Sequence, residues 1–262
     1  MDGSAWTFIG PMQGLPDHWS IDATVFSYAD SLYCCYSGWP LNDNSDTQQD
    51  LFLVKLSSPE AAIRDTLVCI SRAELPWERC DNNRRGINEG PTWVDTPGFR
   101  GIVYSANGSW TNDYKLGLLA LVGNDPLQAS SWQKRPAPLL TSDVKRGRPF
   151  GPGHASFINS PYHDGKIYCI YHGTERPDEG WNNRKARVLC MGPEHFHPQA
   201  PTVCCATVSP MPGAGAGGGI HGQPGFPGST GRQQYQPQPA DTRHHGFMDK
   251  LGDKLKGKLR EL

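Results

Sequence analysis

Read for its apolar and polar positions, the chain changes character near residue 206. Upstream, Trp, Tyr, Phe, Val and Ile fall in short alternating runs broken by Gly, Pro, Asn and Asp. That is the pattern of many short antiparallel strands. A doubly wound α/β sheet would need helices of roughly ten residues or more between strands, and no such stretches are evident there. Downstream, residues 206–245 are rich in Gly, Pro and Gln and cannot bury a core, which predicts a disordered linker. Residues 246–262, "GFMDKLGDKLKGKLREL", set Met248, Leu251, Leu255, Leu259 and Leu262 at steps of three and four. This is one apolar stripe of a short helix opposed by lysines, weakened by about 1 kcal/mol at each of Gly252 and Gly257. Either it is a solvated segment, helical part of the time, or it binds a surface or partner.

The strand-forming part repeats. Asp22 heads "DATVF", followed by "LYCCYSG" and "DLFLVKL"; Glu89 heads "EGPTWV", followed by "GIVYSANG" and "YKLGLLAL"; His154 heads "HASFI", followed by "GKIYCIYHG" and "ARVLCMG". The heads lie 67 and 65 residues apart, and Tyr36, Tyr104 and Tyr171 follow them at 14, 15 and 17 residues. Three copies of one meander at this spacing predict β-propeller blades over residues 1–205, about three of them. The first strand of each blade lines the propeller axis, so Asp22, Glu89 and His154 would converge at one polar mouth. Two acids and a histidine gathered there suit acid/base chemistry on a sugar. Taken singly, Asp22 could equally cap a turn, Glu89 be a solvated loop acid and His154 a satisfied core histidine.

Charge and cysteine content narrow the alternatives. A formal net charge of −1 over 262 residues gives no electrostatic reason for a nucleic-acid or membrane partner. No apolar run approaches the ~18–20 residues of a transmembrane helix. The start, "MDGSAWTFIGPMQG", does not read as a signal peptide. None of the eight cysteines sits in a CxxC pair and no histidine cluster has zinc spacing, so no structural metal site is expected. Asn107-Gly108-Ser109 has the form of a glycosylation acceptor. Neither compartment nor disulfide state is fixed by these features.

"HWSIDATVF", "INEGPTW", "YKLGLLAL", "GNDPLQASSWQK", "GPGHASFI" and "RKARV", in this order across roughly residues 5–193, resemble glycoside hydrolase family 43. They are most similar to its α-L-arabinofuranosidase-like branch. The resemblance implies a five-bladed propeller hydrolysing arabinose- or xylose-containing plant cell-wall polysaccharides with inversion, without a required cofactor, in a family whose members are often secreted. It makes Glu89 the general acid and Asp22 the carboxylate that tunes and orients it. His154 matches the family's axial histidine, which in some members sits beside a water or a calcium ion, and Arg187 falls where an arginine supports the acid. A second carboxylate would raise the acid's pKa by repulsion. Trp19, Trp93 and Tyr114 lie near these heads, either as sugar-stacking platforms or as blade packing.

The departure from the family concerns the general base. The family carries that aspartate in a first blade, ahead of a second blade with a Trp-Ala-Pro-acid motif, and nothing before Asp22 resembles either. Asp2 and Asp17 are loop-like and replace it poorly. The expectation is therefore a partial propeller whose hydrolysis is impaired, with a non-catalytic propeller that binds a glycan or protein as the alternative.

Overall fold

Residue patterning and turn chemistry set the strand boundaries. In the computed structural model, which describes residues 8–143, 148–162 and 164–204, the chain folds into β-strands and short 3₁₀ turns, with no α-helix among the described residues. The linker and helix expected over 206–262 lie outside the described residues.

The first meander comprises β1 (Ser20–Tyr28), β2 (Ser31–Gly38) and β3 (Gln48–Ser58), with β4 (Ala61–Ala62) and β5 (Val68–Ser71) paired to the far edge of β3. Ala29 and Asp30, both at positive φ (45° and 57°), make the two-residue turn that the right-handed strand twist favours between β1 and β2. β6 (Arg79–Cys80) leads into the second meander, β7 (Arg85–Thr96), β8 (Phe99–Ala106), β9 (Lys115–Leu121) and β10 (Trp132–Lys134). Here Pro97 and Gly98, the glycine at φ 84°, close the β7–β8 hairpin. After β11 (Leu140–Thr141), the third meander is β12 (Phe150–Asn159), β13 (Ile167–Thr174) and β14 (Lys185–Met191); β15 (Val203–Cys204) runs parallel to β11.

The meanders stack face to face, as propeller blades do. Phe26, Cys35, Leu51 and Leu53 of the first meet Ile102, Tyr104 and Leu119 of the second in one core cluster. Val103, Leu116 and Leu118, on the opposite face of the second meander, meet Ile167, Cys169, Tyr171 and Leu189 of the third in another. The second meander is thus buried on both faces, which explains why "GIVYSA" and "KLGLLAL" read as nearly continuous apolar runs rather than as alternation. The expected all-β, propeller-type architecture is present. Sheet pairing does not divide it into separate blades: β3 and β7 pair in parallel at Gln48–Gly86 and Gln49–Ile87, merging two meanders into a 12-stranded sheet beside a 3-stranded one.

Candidate active site

Each meander's first strand carries a β-bulge near its entry. In β1 the register slips between Ile21 and Thr24, in β7 between Glu89 and Thr92, and in β12 between Gly153 and Ser156. The residues taking up the extra length are Asp22 (φ 57°), Gly90 (φ 54°) and His154 (φ 51°), all left-handed. Two of the three are not glycine, and strain of this kind concentrates at functional sites. The register also corrects the repeat alignment. Ile21, Glu89 and Gly153 face Ser37, Ser105 and His172 across their hairpins, so Gly90 rather than Glu89 is the equivalent of Asp22 and His154.

The bulges bring the three strands together. The Gly90 N–H donates to Asp22 Oδ2 at 3.0 Å, tying the first meander to the second. The His154 N–H donates to Ser105 Oγ at 2.7 Å, and Thr92 Oγ1 donates to the Ala155 carbonyl at 2.7 Å, tying the second to the third. Gly90 lies so close to the His154 ring that a Cβ there would sit 3.2 Å from Nδ1. Asp22, Glu89 and His154 are therefore neighbours in space, with His154 exposed and Glu89 8% exposed.

Glu89 is strongly perturbed. Burial raises its pKa to about 7; the Tyr114 hydroxyl, donating to Oε1 at 2.6 Å, opposes the rise, as does the Arg184 guanidinium, while the Asp22 charge adds to it. The neighbouring carboxylate thus contributes, but desolvation dominates over the repulsion expected from sequence. Tyr114, held by burial and by Glu89 well above the ordinary phenol range, remains a donor.

Around this acid lie residues that the sequence reading passed over. His172 stacks between Tyr114 and His154, ring centroids 6.0 Å from each, and burial with the nearby Arg184 charge lowers its pKa to about 4, so it is neutral. Arg184 lies over Tyr114 and over Trp181, 5.4 Å from each ring centre, and donates to the Gly151 carbonyl at 2.7 Å and to the Ser109 carbonyl.

The geometry places the remaining expected residues as follows. Arg187 pairs with Glu175, and the arginine whose charge acts on Glu89 is Arg184; both lie in the quoted "RKARV", but Arg187 is within β14 whereas Arg184 precedes it, at the end of the 3₁₀ turn Trp181–Asn183. Tyr114 is 0% exposed, so its ring cannot stack on a sugar and its hydroxyl serves the acid instead. Trp93 stacks on Phe26 at 4.0 Å within the core between the first two meanders, and Trp19 on Trp39 at 5.0 Å. Asn107 is buried and donates its amide to the Arg79 carbonyl at 2.8 Å, so it is not an accessible glycan acceptor.

Among the described residues no group of three or more His, Cys, Asp or Glu side chains could hold a metal ion. Calcium takes six to eight oxygen ligands. His154 has an imidazole and the Gly90 backbone beside it, and Arg184 Nη1 lies 3.3 Å from His172 Nδ1. That donor set does not fit calcium. A cavity of about 550 Å³ opens on the flank of β3, lined by Gln48, Asp50, Phe52 and Arg72 among others, and none of the clustered residues reaches it. Paired carboxylates and a strongly perturbed acid coincide in the cluster.

Known proteins resemble the chain in sequence and in fold. The family description "Glycosyl hydrolases family 43" matches residues 2–194. The chain is 31% identical over 194 residues to alpha-L-arabinofuranosidase 43 of Humicola insolens, covering 71% of this chain and 38% of that protein. It is 32% identical over 176 residues to an extracellular exo-alpha-(1->5)-L-arabinofuranosidase of Streptomyces avermitilis, covering 66% and 34%. It thus spans little more than a third of the length of these relatives. In fold it is similar to an alpha-L-arabinofuranosidase from Lactobacillus brevis, with TM-score 0.62, 24% identity, and 71% of this chain and 56% of that one covered. A thermostable family-43 glycoside hydrolase follows at TM-score 0.55 and 24% identity, with 70% and 58% covered. With its family match running across all three meanders and their bulged first strands, the chain belongs to glycosyl hydrolases family 43.

Proposed function

We propose that this chain carries the acid half of an inverting glycosidase site for arabinose- or xylose-containing plant polysaccharides, of which α-L-arabinofuranosides are the first candidates. The observation that carries the reading is Glu89: a buried carboxyl with a pKa of about 7, held by Tyr114 and beside Asp22. A general acid must keep its proton near neutrality and release it to the departing glycosidic oxygen. Asp22, fixed by the Gly90 N–H, holds its charge close enough to help keep that proton on Glu89. Arg184 and neutral His172 confine Tyr114, which orients Oε1.

Inversion also needs a carboxylate that activates water on the far side of the sugar, about 6.5–9.5 Å from the acid. Among the described residues Asp22 is the one carboxylate whose charge acts on Glu89, and its Oδ2 is committed to Gly90. This favours, as a second reading, a chain that binds a glycan and protonates the leaving group but activates water poorly. Loss of one acid or base group typically lowers the rate ~10²–10⁴-fold.

Hydrolysis of an aryl α-L-arabinofuranoside with and without azide tests both. Azide can attack the anomeric carbon in place of water, giving the glycosyl azide while Glu89 protonates the aglycone. Slow turnover accelerated by azide is the expected result, with Glu89→Gln removing most of the azide-dependent rate for a poor leaving group. Robust turnover without azide would require a base that the geometry does not display. No turnover in either condition, with sugar binding retained, would leave the binding reading in place of the enzyme.

A further inference from the structure

The strand segment bearing Glu89 is anchored from behind by a charged hub that the acid chemistry does not use. Glu78, 0% exposed, ends a 3₁₀ turn between β5 and β6. Its Oε1 accepts from Tyr104 Oη at 2.8 Å, Lys134 Nζ at 2.8 Å and Asn88 Nδ2 at 3.0 Å. Its Oε2 accepts from the Leu75 N–H at 2.8 Å and again from Lys134 Nζ at 3.0 Å. Lys134 Nζ further donates to Asn88 Oδ1 at 3.2 Å and to the Arg72 carbonyl.

Asn88 is where these bonds converge. Also 0% exposed, it receives Ser71 Oγ on Oδ1 at 2.7 Å and Ser37 Oγ on its carbonyl at 2.8 Å. Donors from β2, β5 and β10 and the Glu78 carboxylate therefore grip one residue, immediately before Glu89 and the bulge. Successive strand residues face opposite ways, so the hub occupies one face of β7 and the acid the other. A buried ion pair is weak evidence for stability alone, because desolvation offsets its attraction; fixing a unique local geometry is one use for which such a pair is retained.

We propose that Lys134 and Glu78 are positioning residues for the general acid: through Asn88 they clamp the entry of β7 and hold Glu89 in its buried, Tyr114-bonded place. The inference rests on the general-acid reading of Glu89. Releasing the clamp would let β7 relax outward and water reach Glu89, while Asp22, Tyr114, Arg184, His154 and His172 stay on their own strands and loops.

The test follows the Glu89 carboxyl itself by NMR titration of glutamate-labelled protein, assigned with Glu89→Gln. Lys134→Met alone would strand a buried carboxylate and risks unfolding. The double variant Lys134→Met/Glu78→Gln removes both charges without changing the net charge. In it the Glu89 pKa is expected to fall by about one unit or more toward the ordinary carboxylate range. Ser37→Ala/Ser71→Ala, which removes two hydroxyl donors and no charge, should shift it the same way by less. A raised Glu89 pKa that stays unchanged in both variants, even with lowered melting temperatures, would overturn the clamp and leave the acid reading standing. An ordinary Glu89 pKa in the unaltered chain would overturn the acid reading and the clamp with it.

Discussion

At the residue scale, Glu89 sets the pH behaviour. Its folded-state pKa of about 7 lies above the ordinary 4.5, so the folded protein holds a proton that the unfolded chain releases in between. The stabilising contribution of that proton is complete below pH 4.5 and is lost as pH rises through 7, a span worth ~3 kcal/mol. Glu89→Gln should therefore flatten the dependence of melting temperature on pH between these limits and be the more stable form above neutrality. Any glycosidase activity should fall along a basic limb near pH 7 as Glu89 deprotonates. Tyr114→Phe removes the one hydrogen bond favouring the charged carboxylate, so that limb should move to higher pH. A limb moving to lower pH, or unmoved, would mean that Tyr114 does not act on the acid. The residues heading each repeat were legible in the sequence because each stands just before the apolar run of a first strand. Arg184 and His172 were not: Arg184 acts on the acid from the end of a 3₁₀ turn just before β14, a turn that no periodicity marks, and His172 sits one residue beyond the repeat tyrosine Tyr171.

At the element scale, the bulge is what turns three strand entries into a site. Asp22, Gly90 and His154 occupy the left-handed region at equivalent places, and hydrogen bonds between successive meanders start from these bulges. The spacing of the heads disclosed the repeat, but a bulge inserts its extra residue without a sequence mark, which is why the alignment ran one residue off at Glu89. Close approach constrains the third bulge further. A Cβ on Gly153 would lie 2.2 Å from Tyr114 Cε1 and 2.3 Å from Cδ1, and that ring is fully buried and bonded to Glu89. Gly153→Ala must displace either the ring or the strand, at a cost of about 1–3 kcal/mol. Thermal unfolding should show that loss, and the Glu89 titration should shift as its Tyr114 bond is disturbed. Gly165→Ala is the matched control, because nothing lies within 4 Å of a Cβ there; its loss should reflect only the strain of φ 70° and leave the Glu89 titration unchanged.

At the scale of the whole molecule, burial is uneven across the stack. Tyr104 and Tyr171 each point into the core shared with the preceding meander, and Tyr36 points the same way into a smaller cluster closed by Met12 and Leu15. This repeated direction made the stacking readable in the sequence, where the tyrosines mark one position of each copy. Among the described residues, the third meander has no such cover on its other face. Ile158, Tyr168 and Cys190 lie in one cross-strand row, and Ser156, Ile170 and Val188 in the next. Ile158 is 54% and Val188 58% exposed, although the opposite faces of the same strands, with Ile167 and Leu189, are buried. A sheet face of this composition gains by leaving water, at roughly 25 cal/mol per Å² of apolar surface covered. The chain studied alone should accordingly self-associate as concentration rises, seen as growing weight-average mass in sedimentation velocity. Ile158→Lys/Val188→Lys should return it to the monomer while leaving the melting temperature nearly unchanged, because neither side chain packs in the core. If the double variant associates as strongly as the unaltered chain, the contact lies elsewhere, with the exposed β1 residue Val25 the next candidate.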